Sequence, residues 1–181
     1  MSARRFFEII LFGTLVLAPF LVNAQIPAKK LGDWKLTLNV GGKIAPAIAT
    51  INDSGMTLGK TCDGHQCEWD LFIDTGCEEG HSYPALANIT NGGALFISLR
   101  CEWPAPTGGV FMYRISPYNE FDKAIQKTRQ GKISIAMPTG GDSFLIVKFS
   151  LFGGAEAMIL FDQLYKEYIN QKNKSNENII M

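Results

Sequence analysis

The sequence predicts a mainly-β protein, namely a single-domain antiparallel β-sandwich with two flanking helices in its C-terminal third. Between residues 31 and 115 the chain alternates apolar and polar residues in short runs, which is typical of strands that bury one face. Eighteen Gly and eight Pro residues provide turns between these runs. After Pro117 the apolar residues recur at helical spacing instead. A sandwich with helices packed beside it buries all of these faces.

Six strands are predicted ahead of the first helix, and each ends at a turn signal. The first two are joined by Gly41-Gly42, which suits a two-residue hairpin turn. Pro46 lies inside the second strand and indicates an edge position or a bulge, because proline has no N–H to donate. The segment 75–93 contains several Gly residues and a Pro and is predicted to be mostly loop. The six strands cover residues 31–40, 43–51, 56–62, 67–74, 94–103 and 110–115.

Two helices are predicted in the last third, separated by a strand hairpin. The first covers residues 118–130, and Gly131 suits the position just after its end. The second covers residues 155–172 and carries an apolar stripe. The hairpin between them consists of strands over 132–137 and 143–151.

The N-terminus has the three parts of a secretory signal peptide. Arg4 and Arg5 precede an apolar stretch, and Ala24 is a small residue at the expected cleavage position. Residues 1–24 are therefore predicted to be removed on export, with an uncleaved N-terminal anchor as the alternative. The folded domain would then cover residues 25–172. The last residues, 173–181, are polar and are predicted to be a disordered tail.

Length and charge exclude several classes of function. Removal of 24 residues from 181 leaves 157, which is enough for one domain. The mature chain has 15 basic and 16 acidic residues, because the leader takes two arginines and one glutamate from the 17 of each kind. A nucleic-acid-binding protein normally shows a basic excess, so no nucleic-acid partner is expected. No later segment is long and apolar enough to predict an integral membrane span.

All four cysteines lie in the mature chain, at Cys62, Cys67, Cys77 and Cys101. An even number in an exported protein predicts two disulfides. Four cysteines allow three pairings, and the sequence does not choose between them. The favoured pairing is Cys62–Cys67, across a short turn, with Cys77–Cys101, between neighbouring elements. A zinc site that adds His65 and His81 is the alternative, although the spacing matches recurrent zinc motifs poorly.

No catalytic set, metal site or cofactor is predicted. Neither histidine lies in a nucleophile motif, and the glycine pairs lack the spacing of a phosphate-binding loop. A hydrolase that uses His81 with Glu78 or Glu79 remains a minor hypothesis. The expectation is that the protein is not an enzyme.

The most distinctive local feature is Cys-Glu-Trp, which occurs at residues 67–69 and again at 101–103. One interpretation is that Trp69 and Trp103 pack against the two disulfides. The other is that they form an exposed aromatic pair in a binding face, with Tyr83 nearby. Trp69, Tyr83 and Trp103 are the candidate binding residues on this second interpretation.

Two stretches resemble the bacterial invasion-associated locus B family. One is Gly32-Asp33-Trp34, and the other is Ser150-Leu151-Phe152-Gly153-Gly154-Ala155 followed by a helix. Gly76-Cys77 is similar to a Gly-Cys pair in the middle of the family pattern. Two departures are that Gly154 stands where the family has Phe, and that an early Cys is absent. The resemblance implies a periplasmic or surface-exposed β-sandwich protein that is linked to host-cell interaction and has no catalytic residues to carry over.

The leading functional hypothesis is an exported, non-catalytic envelope or secreted protein of a bacterium, located in the periplasm or outside the cell. Its expected partner is a protein or a glycan. In one form of the hypothesis, this partner lies on a host cell. The alternative is a periplasmic inhibitor of a hydrolase such as lysozyme, with the loop over 75–93 as the inserting element.

Overall fold

The structure, a computed structural model, describes residues 28–40, 43–104, 109–140 and 143–177. The predicted signal peptide and the Gly41-Gly42 turn lie outside these residues. Ten strands and two helices are described. In chain order they are β1 (Lys29–Leu31), β2 (Trp34–Val40), β3 (Lys43–Ile51), β4 (Thr57–Cys62), β5 (Cys67–Ile73), β6 (Ser82–Ile89), β7 (Gly93–Pro104), β8 (Phe111–Ser116), α1 (Tyr118–Lys127), β9 (Lys132–Gly140), β10 (Ser143–Ser150) and α2 (Gly154–Glu177).

The strands form one sheet in the order β1-β2-β3-β4-β5-β8-β7-β6-β9-β10, and its neighbours pair antiparallel. The mainly-β class with two helices is therefore confirmed. The ladder is continuous through all ten strands, so the two separate sheets expected of a sandwich are not found in the described part of the chain. The sheet curls instead, and β10 at one end contacts β3 near the other.

One face of the curled sheet is buried, and the other faces outward. The inner face follows the cross-strand register, for example from Leu71 to Tyr113 and from Ala87 to Ile135. Because side chains alternate along a strand, a single register places the apolar half of every strand in one core. That core is completed by Phe121 from α1 and Phe161 from α2, both fully buried.

The predicted loop over 75–93 is wrong, because β6 lies within it. This strand pairs with β7 along its length and with β9 over Leu86–Ile89. Its small inward residues, Ala85 and Ala87, gave a weak apolar signal, and Pro84 argued against a strand. The pairing of β6 with β9 does not extend to Pro84. Proline is tolerated there because its lack of an N–H costs no hydrogen bond to β9.

Pro46 lies at an irregularity, as predicted. The register of β2 against β3 shifts between Thr37 and Asn39, which leaves Ala45 and Pro46 opposite a single residue of β2. A bulge of this kind tolerates a residue without an N–H.

Both helices differ from prediction at their ends. Helix α1 ends at Lys127 rather than at residue 130, since the backbone of Thr128 is already extended. Helix α2 continues to Glu177, so residues 173–177 of the predicted disordered tail are helical. No helix among the described residues has the length and hydropathy needed to cross a membrane.

Two disulfides are formed, in the pairing favoured from the sequence. Cys62 and Cys67 are direct cross-strand partners in the β4–β5 hairpin. Cys77 and Cys101 tie the loop over residues 74–81 to β7. In the loop-entropy description each bridge contributes about 2–4 kcal/mol. The disulfides indicate folding in an oxidising, extracytoplasmic compartment.

A buried charge network joins both helices to the sheet. Lys60 points from β4 into the core, where its Nζ lies 2.9 Å from Oδ1 of Asp122 on α1 and 3.8 Å from Oδ1 of Asp162 on α2. The indole Nε1 of Trp69 donates to the same Asp122 oxygen at 2.9 Å. Burial lowers the pKa of Lys60, but its hydrogen bonds and charge interactions with Asp122 and Tyr118 outweigh this, and the net pKa shift is upward.

Candidate functional site

Trp69 does not belong to a binding face. Its side chain is fully buried on the inner face of β5, edge-to-face with Trp34 and Phe121 at ring-centroid distances of 6.1 and 5.5 Å. Its N–H is satisfied by Asp122. The prediction of an exposed Trp69 is therefore wrong, because the strand register turns this residue toward the core.

Tyr83 holds the disulfide-linked loop rather than presenting an open surface. Its ring packs edge-to-face with Tyr113 at 6.0 Å, and its hydroxyl accepts the backbone N–H of Glu78 at 3.1 Å. The hydroxyl of Tyr113 donates to the carbonyls of Thr75 and Gly76. Trp103 pairs with Met112 across β7 and β8, and its side chain lies outside the described part of the chain. Because Trp69 is buried, it cannot contribute to the exposed aromatic pair suggested by Cys-Glu-Trp.

The two histidines lie at separate surface positions. His81 has its Nδ1 3.3 Å from Oε2 of Glu78, with 64% and 78% of the two side chains exposed. His65 lies in the exposed turn of the β4–β5 hairpin. All four cysteines are held in disulfides, so none of them is available as a thiolate ligand or nucleophile.

The outer face of the sheet carries an apolar row that crosses four strands. Phe96 of β7 lies opposite Leu86 of β6, Leu86 opposite Ala136 of β9, and Ala136 opposite Ile146 of β10. Phe144 lies two residues from Ile146 along β10. At about 4.8 Å between strands, the row spans about 14 Å. We call these five residues the outer apolar strip.

The outer apolar strip is open to solvent. Phe96 is 84% exposed, Phe144 66% and Ile146 57%. Large apolar side chains grouped on one exposed face mark interaction sites more often than scattered ones do. Sequence reasoning missed the strip because Phe96 lies in the run Leu95-Phe96-Ile97. The available signal was parity: Phe96 alternates in phase with Ser98 and Arg100, so it shares the polar face.

A charge cluster occupies the same outer face further along the sheet. Arg114 of β8 forms ion pairs with Glu68, Asp70 and Glu102, at 3.3 Å to Oδ1 of Asp70 and 3.6 Å to Oε2 of Glu102. Asp70 is 5% exposed. Burial raises the pKa of Asp70 to about 6, against the opposing charge of Arg114.

The raised pKa of Asp70 predicts that stability falls as the pH rises. A folded-state pKa near 6, above the ordinary 3.8, means that the folded state binds more protons between these values. The free energy of unfolding of the wild type should therefore fall between pH 4 and pH 7. Its fall should exceed that of the Asp70→Asn variant by about 1–3 kcal/mol. Urea unfolding of both proteins at several pH values checks this. Parallel pH profiles would show that Asp70 titrates normally.

The two motifs that carry the family resemblance meet in space. The N–H of Asp33 donates to the carbonyl of Phe152 at 3.0 Å. Gly153 has a φ of +81°, and a Cβ there would lie 2.8 Å from the Cα of Gly32 and closer still to the Leu31 carbonyl. Gly154 packs on the indole of Trp34. A Cβ added at Gly154 would lie 3.0 Å from Nε1 of that indole. The two short motifs therefore form one interlocked unit, in which the β1–β2 turn seats against the start of α2.

The fold defines a class of mainly-β proteins in which one curled antiparallel sheet is completed by a C-terminal helix. No family model and no curated protein matches the sequence. A solved structure is similar: the crystal structure of invasion associated protein B from Bartonella henselae, with a TM-score of 0.57 and 15% sequence identity over 77% of this chain and 99% of that one. At this identity the likeness shows the fold alone. The resemblance predicted from the motifs is thus supported at the level of fold.

Proposed function

We propose that this chain is an exported, non-catalytic binding protein whose partner is another protein that docks on the outer apolar strip. The observation that carries the proposal is the 84% exposure of Phe96 within a row of apolar side chains from four strands. Burial of three such side chains on binding contributes about 1.5–3 kcal/mol each. Aromatic side chains of this kind are enriched in the centres of protein interfaces.

The geometry of the strip favours a protein over a glycan. Its five side chains carry no hydrogen-bonding group, whereas a sugar needs partners for its hydroxyl groups. The sheet beneath holds the backbone of the strip in place, so docking orders side chains without ordering backbone, which limits its entropic cost. The likeness to a protein named for invasion favours a partner on a host cell over one within the envelope.

One feature supports the non-catalytic part of the proposal, and another weighs against the inhibitor alternative. The His81–Glu78 pair lies in water rather than in a cleft, so the surroundings that tune catalytic acids and bases are missing at that pair. The alternative of a hydrolase inhibitor relied on an inserting loop over 75–93. With β6 inside the sheet, that loop is reduced to residues 74–81 and is tied down by the Cys77–Cys101 disulfide.

Site-specific photo-crosslinking tests the proposal. A benzophenone amino acid is placed at Phe96 or at Ile146, and at the exposed Gln163 of α2 as a matched control. Illumination is performed in the exporting cells and, separately, with purified protein on animal-cell membranes. We expect one protease-sensitive adduct from both strip positions and none from the control, and the preparation that gives it identifies the side on which the partner lies.

The second arm combines crosslinking with a charge substitution. Phe96→Asp should abolish the adduct formed from position 146 while leaving the thermal midpoint unchanged, since Phe96 contributes little buried area. Absence of adducts at both strip positions, or the same adduct from position 163, would contradict a docking role for the strip.

A further inference from the structure

A second surface lies where the two ends of the curled sheet approach each other. A cleft of about 570 Å³ opens there between β1–β3 on one side and β9–β10 on the other. Its volume is in the range of about 300–1,000 Å³ that ligand sites occupy. Four lysines line it: Lys30, Lys35, Lys132 and Lys148. We call it the lysine cleft.

The lysines are arranged as two pairs that face each other. Lys30 and Lys35 are direct partners in the β1–β2 register, so like charges lie opposite each other with Cβ atoms about 5 Å apart. Lys132 and Lys148 are diagonal neighbours on β9 and β10, because Lys148 pairs with Ser134. Like charges directly opposite each other destabilise a sheet, so the Lys30–Lys35 pair lowers stability, and a bound anion would offset this.

The positive charge is local and only partly compensated. The chain as a whole has 17 basic and 17 acidic residues. The ion pairs found among the described residues involve Lys60, His81, Arg100 and Arg114, and none of the four cleft lysines. Only Asp33 and Asp53 add negative charge to the lining, which leaves an excess of two positive charges.

The rest of the lining defines what kind of anion fits. Asp33 and Asp53 repel a molecule that is anionic throughout, but their carboxylates accept hydrogen bonds from hydroxyl groups. Ile51, 52% exposed, offers an apolar contact for the C–H face of a sugar ring. A ligand that combines anionic groups with free hydroxyls and apolar C–H faces is an anionic carbohydrate.

We propose that the lysine cleft binds an anionic saccharide through sulfate, phosphate or uronate groups held by Lys30, Lys35, Lys132 and Lys148. The lysine cleft shares no residue with the outer apolar strip, which it adjoins at β10, where Lys148 and Ile146 lie two residues apart on one face. The proposal does not rest on the function proposed above. Its ligand is a carbohydrate, whereas the strip takes a protein.

Calorimetric titration of the full mature protein with defined oligosaccharides tests the proposal. The probes are a sulfated heparin hexasaccharide, a carboxylated polygalacturonate oligomer and a neutral dextran oligomer. We expect the wild type to bind at least one of the charged probes, more weakly as salt rises, and not to bind the dextran. Failure to bind either charged probe would overturn the proposal.

Two charge-reversal variants locate the binding. Lys35→Glu/Lys132→Glu should weaken binding at least about tenfold. Lys123→Glu/Lys166→Glu changes the net charge equally at exposed positions on the helices and should leave the affinity unchanged. Circular dichroism checks that both variants fold. An equal loss in the two variants would overturn the assignment to the cleft.

Competition distinguishes a carbohydrate from other anions. We expect neither inorganic sulfate nor a DNA oligonucleotide of equal charge to displace the bound oligosaccharide at matched charge concentration. Displacement by sulfate would show that the cleft binds free anions, and displacement by DNA would show a general polyanion site. Either result would overturn the proposal of a saccharide site while leaving the docking role of the outer strip untouched.

Discussion

Replacement of Asp122 by alanine is expected to lower the free energy of unfolding by about 3–5 kcal/mol, because it leaves a buried ammonium group without its close partner. The carboxylate of Asp122 has three partners. It forms an ion pair with Lys60 of β4 and accepts hydrogen bonds from Trp69 of β5 and from Gln126 of α1, each with a nitrogen–oxygen distance of 2.9 Å. Its removal takes the close ion-pair partner from the Lys60 Nζ, which keeps the Tyr118 side chain as a hydrogen-bond partner, and leaves the Trp69 N–H without an acceptor. Both groups lie in the core.

The surroundings of Lys60 give the ammonium little help once Asp122 is gone. Its side chain is 3% exposed, and it lies above the ring of Phe161 at 5.0 Å and that of Tyr118 at 5.6 Å. Cation–π contacts in a desolvated site contribute about 2 kcal/mol, less than the several kcal/mol that desolvation of a full charge costs. Asp162 lies at 3.8 Å and is 47% exposed, so water screens its attraction.

Chemical unfolding of three variants separates these contributions. Asp162→Ala is the matched control and should cost no more than about 1 kcal/mol. Asp122→Asn keeps an acceptor for Trp69 and should fall between the control and Asp122→Ala. Equal losses for Asp122→Ala and Asp162→Ala would show that the buried pair does not hold the helices to the sheet.

The network also shows which part of the fold local sequence patterns can predict. The β-strand alternation, the β4–β5 hairpin and its disulfide depend on neighbours in sequence, and these features were predictable. Trp69 and Asp122 are 53 residues apart, and Lys60 in an otherwise apolar inner row gives no local sign of its partner. The repeated Cys-Glu-Trp context therefore left two interpretations of Trp69 open, packing against a disulfide or exposure in a binding face, whereas the register places it in the core beside Trp34 and Phe121.

The number of sheets could not be predicted for a related reason. Every strand buries one face in a sandwich and in a single curled sheet alike, so the alternation is the same in both. What decides between them is the pairing of β5 with β8 and of β6 with β9, which join strands far apart in the chain. Because the sequence analysis predicted the β6 segment as loop, it could not anticipate the pairing of β6 with β9.

Substitution of Gly153 by alanine is the second change with a large expected effect, a loss of about 3–4 kcal/mol in the free energy of unfolding. Two costs add. A φ of +81° is in the left-handed region, which costs a residue with a Cβ about 1–2 kcal/mol. The added methyl would also overlap the backbone of Leu31 and Gly32, and Leu31 is paired with Trp34 in the sheet, so its backbone cannot move aside cheaply.

Gly80 provides the control for the first cost alone. Its φ is +79°, and nothing lies within 4 Å of the position that a Cβ would take. Gly80→Ala should therefore cost about 1 kcal/mol, and the excess in Gly153→Ala measures the close contact between the two motifs. Equal losses in these two variants would show that the backbones at residues 31–32 and 153 are not in contact.

Gly32→Ala tests the same contact from the other side, because its added Cβ would overlap the carbonyl of Phe152. If the two turns form one interlocked unit, either substitution alone separates them, and the second then costs little more. The double variant Gly32→Ala/Gly153→Ala should therefore lose at least about 1 kcal/mol less than the sum of the single losses. Additive losses would mean that each glycine is required only for its own turn, and the interlock of the Gly-Asp-Trp motif with the start of α2 would have to be abandoned.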